Sequence, residues 1–278
     1  MTSNEEPFAE FLDESKSQSQ TLLMLAQELD YSVIVFEGED DLLLLRKYVL
    51  EEQCGVVVFK GKPNVLKIAS EYSNISHAPP ILFIIDQDLD NFTSKNTPYP
   101  DNVIATENHD LFMDIFFERM SIAEDALLLN AKHLIQENKI FSINFAEIVH
   151  QSLSLAGHLA HARLAIENND INTIPLRRKS LQSIKYPFTL HDICKFASNI
   201  SQGSVTENQL IELVEAMQEP INLYSFIGDH DFIESLYCCA IQNGFPLKKF
   251  SHNQLESTLR GLILNPDLIS NIKRLIQK

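Results

Sequence analysis

The chain has 278 residues, an ordinary apolar share of 45% and a net charge of −16, and residues 1–120 hold 22 acidic against 8 basic side chains. This length can bury a sizeable core and hold one large domain or two small ones. The negative charge excludes direct attraction to nucleic acid, so chemistry on nucleic acid would need metal ions, a local basic track or a basic partner.

The amino terminus and the cysteines indicate a cytoplasmic protein. Residues 1–7 lack the basic and then apolar pattern of a signal peptide, and no apolar run in the chain reaches membrane-spanning length. The four cysteines show neither metal-ligand spacing nor a disulfide framework, which fits a reducing compartment. We therefore expect a cytoplasmic chain that does not enter a membrane.

The first 120 residues predict an α/β domain. Residues 1–30 are predicted to form a polar, acidic tail and a short helix. Uninterrupted apolar runs then alternate with helical patterns through residues 31–120. Strands buried on both faces and separated by helices form parallel sheets, so this domain should hold a parallel sheet flanked by helices, with right-handed crossovers. The predicted strands are 31–36, 55–59, 81–85 and 103–106, and the predicted helices are 42–50, 65–72 and 111–117.

Residues 121–278 predict an α-rich C-terminal region, because apolar residues recur there at helical spacing and strand patterns are few. The predicted fold class is therefore α/β, a parallel sheet followed by helices. Breaks between helices fall near 168–175, at Tyr186-Pro187 and at Glu219-Pro220. The helical stretches are 121–138, 144–168, 189–199, 206–217, 229–243 and 252–263.

Carboxylates follow two of the predicted strands. Asp86, Asp88 and Asp90 come directly after the third strand, and Glu37 ends the first. In open α/β sheets ligands bind beyond the carboxyl ends of the strands, where these side chains would meet. Gathered carboxylates repel one another, and Mg²⁺ or Mn²⁺ would relieve the repulsion while keeping positions for water and phosphate oxygens. An acidic, solvated loop explains the three aspartates equally well.

This set of residues resembles the Toprim domain, which occurs in topoisomerases, primases, OLD nucleases and small ribonucleases of 5S RNA maturation. The resemblance implies a Toprim-like sheet in which Glu37 performs acid–base chemistry. It implies that Asp86 and Asp88 are catalytic and hold Mg²⁺ together with Glu37. Asp90 would be a further metal ligand, and Asp41 would belong to a second metal site. The matching stretches are Phe36-Glu37-Gly38-Glu39-Asp40-Asp41 and Ile85-Asp86-Gln87-Asp88-Leu89-Asp90.

Further motifs resemble a family of stand-alone Toprim proteins encoded in phage-defence operons beside an ABC-type ATPase. The chain departs from this family at Phe112, where the family has an acidic residue. A second metal would therefore rely on Asp110 or Asp114, or be absent. Lys60 and Lys62 are expected to contact the substrate. The matching motifs are Gly61-Lys62-x-Asn64-Val65, Thr106 with His109-Asp110-Leu111, Gly157 with Arg163-Leu164, and Gly228-Asp229-His230-Asp231.

The resemblance implies a metal-dependent nuclease that is the effector of an anti-phage defence complex. RNA, with tRNA as one candidate, is favoured over DNA as the substrate, and the implied partner is the ABC-type ATPase of the same operon. The chain carries no Gly-x4-Gly-Lys-Ser/Thr phosphate loop, so nucleotide hydrolysis would come from that partner. A homo-oligomer, an OLD-type DNA nickase and a non-catalytic acidic module that binds a partner protein remain alternatives.

Other candidate residues have a structural explanation. His158 and His161 lack a third ligand on their helix face, and a polar helix face accounts for them. Residues 229–231 mark a helix start, with one of the two aspartates as the cap. The basic run Arg177-Arg178-Lys179 would guide a phosphate backbone, form a subunit contact or simply face solvent.

Overall fold

The computed structural model describes most of the chain between residues 18 and 263. The chain divides into two compact units. Among the described residues, the first unit comprises those up to Asp86 together with 98–106, and the second comprises 87–90 and those from Glu107 onward. The described ranges are 18–29, 33–51, 54–90, 98–132, 134, 142–169, 181, 184–201, 204–217, 223–246 and 249–263.

In the described residues, the first unit contains a four-stranded parallel sheet, which confirms the predicted sheet type. The central strands β1 (Val33–Phe36) and β3 (Ile81–Ile85) pair in parallel, with Phe36 opposite Ile84. Their carboxyl ends therefore lie side by side, although a strand and two helices separate them in the chain. The strands are β1 (Val33–Phe36), β2 (Gly55–Val58), β3 (Ile81–Ile85) and β4 (Val103–Ala105), in the spatial order β2-β1-β3-β4.

Helices flank this sheet, as the sequence predicts. The bounds are α1 (Gln18–Glu28), α2 (Glu39–Glu51) and α3 (Lys62–Ser73). Leu22 of α1 and Ile68 of α3 belong to one buried cluster with odd-numbered strand residues such as Val35 and Phe83. Because alternate residues of a strand face opposite sides, α1 and α3 cover one face of the sheet. α2 packs against β1 and β2, and burial from helices explains the unbroken apolar runs of the central strands.

The described part of the second unit is helical. Its central element is α6 (Phe145–Asn168), which buries most side chains between Ile148 and Ile166. This helix packs against α5 (Ser121–Asn130), α7 (Leu190–Ile200), α8 (Glu207–Ala216) and α9 (Asp229–Gln242). The stretch predicted as one helix at 121–138 is interrupted after Asn130, and its last residues lie outside the described ranges, as does Glu219-Pro220. The other helices of this unit are α4 (Leu111–Glu118) and α10 (His252–Ile263), and a 3-10 turn lies at Leu223–Phe226. Across the described ranges, no helix combines the length and the apolar character needed to cross a membrane.

The cysteines are free thiols that contribute to packing. Cys194, Cys238 and Cys239 are buried, and Cys54 is half-buried. Burial raises the pKa of the Cys194 and Cys239 thiols to about 11. Both thiols are therefore protonated at neutral pH and are poor nucleophiles, which fits residues that fill space between helices.

A buried ion pair joins α6 to α9. Arg163 donates from Nη2 to Asp231 Oδ2, and the two residues are only 7% and 5% exposed. Both charges have lost their water, so removing one partner leaves the other buried and unpaired, which typically costs ~3–5 kcal/mol. The pair between Lys67 and Glu71 in α3 lies at the surface instead, where such pairs contribute ~0–1 kcal/mol.

Asp231→Ala is expected to lower the free energy of unfolding by about 3–5 kcal/mol, because it leaves the Arg163 guanidinium buried without its carboxylate. Arg163→Met combined with Asp231→Leu removes both charges and should cost clearly less. Urea unfolding measures these changes, and Lys67→Ala at the surface pair is the control. A loss in Asp231→Ala no larger than the loss in Lys67→Ala would contradict the expectation.

Candidate functional site

Glu37 and Asp86 lie together at the carboxyl-terminal edge of the sheet. Glu37 follows β1, Asp86 follows β3, and these strands are paired neighbours. The backbone N–H of Asp86 donates to Glu37 Oε2 at 3.3 Å, and both residues are half-buried. The first unit thus brings together two of the three residues predicted to be catalytic, and the backbone of one orients the carboxylate of the other.

Asp41 fixes the turn that follows Glu37. It lies in the first turn of α2, and its Oδ2 accepts the backbone N–H of Gly38 at 3.1 Å. A Cβ at Gly38 would lie 3.3 Å from the same oxygen, so the glycine leaves room for this contact. Glu39 and Asp40 are exposed in this turn, where acidic side chains favour a helix start. Asp41, predicted for a second metal site, therefore holds the loop that carries Glu37.

Lys60 and Lys62 flank Gly61 after β2. Gly61 has a φ of 85°, a region that glycine enters without steric cost, and it precedes α3, whose first residue is Lys62. Lys60 is exposed, whereas Lys62 is only 9% exposed and its Nζ lies 5.9 Å from the ring centre of Tyr99. Lys60 is thus the more accessible of the two predicted substrate contacts, and both remain predictions.

Asp88, the third residue predicted to be catalytic, belongs to the second unit. Its φ is 52°, in the left-handed region that Asp enters more readily than most residues. Its backbone N–H donates to His109 O at 2.8 Å, and its Oδ1 lies 3.9 Å from His109 Nδ1. The next residue, Leu89, is buried against α6 and Phe226, which anchors this turn within the unit. Asp90 is half-buried, and its backbone N–H donates to Gln87 O at 3.2 Å.

Asp110 is the N-cap of α4 and is buried. Its Oδ1 accepts the backbone N–H of Met113 at 2.8 Å, and its Oδ2 accepts that of Asp229 at 2.7 Å. His109 Nδ1 lies 3.4 Å from the same Oδ2. Asp229 in turn forms an ion pair with Arg260 at 2.6 Å. Burial raises the pKa of the Asp110 carboxyl, and its hydrogen bonds tie the start of α4 to the start of α9.

Asp114 holds the loop before α4. Its Oδ2 accepts the backbone N–H of Glu107 at 2.9 Å. Its Oδ1 accepts the backbone N–H of Asn108 at 2.7 Å and the side-chain amide of the same residue at 2.8 Å. Burial raises the pKa of the Asp114 carboxyl, although these donors favour its charged form. Asp110 and Asp114, which were predicted for a second metal together with Asp41, thus both bind backbone N–H groups.

The start of α9 corrects one prediction. The helix begins at Asp229, as expected, but its N-cap is Gly228, and no side chain caps it. The aspartate cap is wrong because both candidates have long-range partners: Asp229 pairs with Arg260, and Asp231 pairs with Arg163.

The remaining candidates stay outside the site. His158 Nδ1 lies 2.6 Å from Ser154 O, one turn earlier in α6, and His161 is buried in the same helix. The basic run Arg177-Arg178-Lys179 lies outside the described residues.

The contact between His109 and Gly228 was missed from the sequence. The two residues appear there only in separate motifs, yet a Cβ at Gly228 would lie 3.0 Å from His109 Cε1. The hydrogen bond from Asp229 to Asp110 supports the same approach of the two segments. No periodicity or spacing indicates a contact between a loop and a helix start so far apart in the chain.

Among the described residues, no group of three or more His, Cys, Asp or Glu side chains has an arrangement that could hold a metal ion. The chain matches no protein-family model and no curated protein. The metal, the Toprim resemblance and the roles of the site residues therefore remain predictions.

Asp114 and Asp192 should give stability profiles of opposite sign with pH. The pKa of Asp114 is raised above its ordinary 3.8, so its carboxyl binds the proton more tightly in the folded protein. Stability from this group is full below about pH 3.8 and is lost as pH rises through the raised pKa. Asp192 is half-buried, and hydrogen bonds from Thr189 lower its pKa, so its contribution is lost as pH falls below 3.8.

The measurement is urea unfolding of the wild type, Asp114→Asn and Asp192→Asn between about pH 3 and 7. The stability of the wild type relative to Asp114→Asn should fall as pH rises, and that relative to Asp192→Asn should fall as pH drops. A wild-type advantage over Asp114→Asn that grows with pH would refute the assignment.

Proposed function

We propose that this chain is a metal-dependent nuclease that hydrolyses phosphodiester bonds at the sheet edge formed by Glu37 and Asp86. The observation that carries the proposal is the pairing of β1 with β3, which sets Glu37 Oε2 3.3 Å from the backbone nitrogen of Asp86. Two half-buried carboxylates at the carboxyl end of a parallel sheet stand where α/β proteins bind their ligands. The resemblance to Toprim domains supports the same function.

The donors at this edge fit Mg²⁺ or Mn²⁺. Both side chains offer hard carboxylate oxygens and are only half-buried, so water and phosphate oxygens can complete a coordination sphere. Glu37 and Asp86 would hold the ion, and the Toprim resemblance adds Asp88 and Asp90. When bound, the ion would stabilise the charge that develops on the phosphate.

Glu37 is the proton-transfer residue in this proposal. Its Oε2 accepts the N–H of Asp86, which orients the carboxylate, and the contact of Asp41 with Gly38 fixes the turn after Glu37. A carboxylate held in this way can take a proton from an attacking hydroxyl or water within hydrogen-bond reach. Lys60, exposed just after β2, would contact the phosphate backbone.

The charge of the chain supports a partner that delivers the substrate. A net charge of −16 repels polyanions, so the isolated chain should bind nucleic acid weakly. The same charge would steer association with a basic protein surface and make it sensitive to salt. From the resemblance, we propose the ABC-type ATPase of the same operon as this partner, RNA, with tRNA as one candidate, as the substrate, and the cytoplasm as the location.

Two alternatives remain. An OLD-type DNA nickase would use the same carboxylates, and only the nucleic acid that is cleaved separates it from a ribonuclease. A non-catalytic acidic module is favoured by the exposure of Glu39 and Asp40 at the start of α2. Such a module would keep its biological effect when Glu37 is replaced, whereas a nuclease would lose it.

Mg²⁺ or Mn²⁺ should raise the midpoint of thermal unfolding through mass action, by an amount that grows with ion concentration. Asp86→Asn combined with Asp88→Asn should abolish the rise. Asp101→Asn makes the same charge change at an exposed position before β4, at the opposite ends of the strands, and should keep it. A rise that persists in the double variant would place the ion elsewhere.

Co-expression with the neighbouring ATPase should give a complex that co-elutes on size-exclusion chromatography and weakens as salt rises. A phage signal that releases the chain should arrest host growth. Glu37→Gln should abolish the arrest and keep the complex, while Glu39→Gln, an exposed control two residues away, should change neither. The proposal would be contradicted if no complex formed at any salt concentration, or if the Glu37→Gln variant still arrested host growth.

A further inference from the structure

His109 is a polar residue buried without a full set of partners. It is only 4% exposed, and among the described residues its Nδ1 finds no hydrogen-bond partner of adequate geometry. A buried nitrogen without a partner costs free energy, so its retention needs a reason. The atom faces two carboxylates, with Asp110 Oδ2 at 3.4 Å and Asp88 Oδ1 at 3.9 Å.

The backbone of His109 also contacts Asp88. Its carbonyl oxygen accepts the N–H of Asp88 at 2.8 Å, while Asp88 is in the left-handed region with a φ of 52°. A non-glycine residue stays in that region only where its surroundings fix it. The Asp88 side chain is 41% exposed, so it is open to solvent on one side and backed by the buried imidazole on the other.

Gly228 provides the space for this imidazole. A Cβ at this position would lie 3.0 Å from His109 Cε1, 3.1 Å from its Nδ1 and 3.5 Å from Asp110 Oδ2. The φ of Gly228 is −82°, which any residue adopts. The glycine is therefore explained by the space that its missing Cβ leaves for the imidazole, and not by its backbone conformation. Asp229, the next residue, donates its N–H to Asp110 Oδ2 and forms an ion pair with Arg260. These two contacts hold the turn at Gly228 against His109.

We infer that His109 is a positioning residue that sets the conformation and the carboxylate direction of Asp88, and that Gly228 is the clearance it requires. The inference deepens the proposed function and rests on it in one respect, namely that Asp88 takes part in metal binding there. Carboxylates that bind metals are oriented by outer partners, whose loss typically lowers metal affinity or activity by about 10–100-fold. His109 would act in this way, through Asp88 and without touching the substrate.

The first test compares His109→Ala with His109→Asn. An asparagine amide nitrogen is as many bonds from Cα as Nδ1 is, so Asn restores a donor that Ala removes. His109→Ala should lower kcat and Mn²⁺ affinity by about 10–100-fold with little change in KM, and His109→Asn should recover most of the loss. His191→Ala, at a histidine whose side chain is 62% exposed, is the control and should match the wild type.

A double-variant cycle separates positioning from independent damage. Once Asp88→Asn is present, adding His109→Ala should cause little further loss, because the two residues act through one carboxylate. Losses that simply add would overturn the inference. So would a His109→Asn variant that folds like the wild type and is as impaired as His109→Ala.

Glycine variants test the same contact without changing the histidine. Gly228→Ala should displace the imidazole and reproduce the loss seen in His109→Ala. Gly261→Ala is the matched control, because a Cβ there meets nothing within 4 Å. If His109→Ala fails to fold, Gly228→Ala and His109→Asn still decide the question. Equal activity in Gly228→Ala and the wild type would count against the inference.

A readout independent of nuclease activity separates the two claims. In crystal structures, Asp88 should leave the left-handed region or turn its carboxylate in His109→Ala and Gly228→Ala, and keep both in His109→Asn. If Asp88 stays in place in the first two variants, the positioning inference is wrong, whatever the activity. If Asp88 moves as expected but the wild type shows no metal binding and no Glu37-dependent cleavage, the proposed function fails and the positioning inference stands.

Discussion

Parallel pairing of β1 with β3 is the constraint on which the candidate site depends. The register that sets Phe36 opposite Ile84 also brings Glu37 to the backbone N–H of Asp86. All four residues of β1 are buried, as expected for a central strand of a parallel sheet that is covered on both faces. The register of this strand against β3 in turn places the two carboxylates side by side.

In the second unit, hydrogen bonds rather than strand pairing fix the positions of the candidate residues. The loop from Glu107 to Asp110 has little apolar surface of its own, and hydrogen bonds to the carboxylates of Asp110 and Asp114 hold it. Asp114 accepts its first N–H groups, and Asp110 joins it to the start of α9. Asp110 is the costlier of the two carboxylates to remove, because its loss would leave the buried N–H of Met113 without an acceptor. The position of His109, and through it that of Asp88, depends on this framework.

The sequence was sufficient to predict those parts of the fold that are marked by runs of apolar residues close together in the chain. Runs such as 81–85 predicted the strands, and the alternation with helices predicted a parallel sheet, from which the adjacency of Glu37 and Asp86 followed. The contact of His109 with Gly228 could not be predicted, because neither residue belongs to a periodic pattern that indicates its neighbour. The cap of α9 was mispredicted because Asp229 matches the local capping preference, whereas its ion pair with Arg260 wins in the folded chain.

The aspartates of this chain have the same functional group, but the structure gives them different hydrogen-bond partners. An ionised carboxylate has about four lone-pair sites, and Asp114 already uses three of them for N–H donors. Asp110 binds two backbone N–H groups and is buried beside His109. An ion bound by either residue would compete with the bonds that hold its loop, so a second metal there would cost local order. The hydrogen bonds of Asp110 and Asp114 therefore favour a structural role for these two residues and argue against a second metal there.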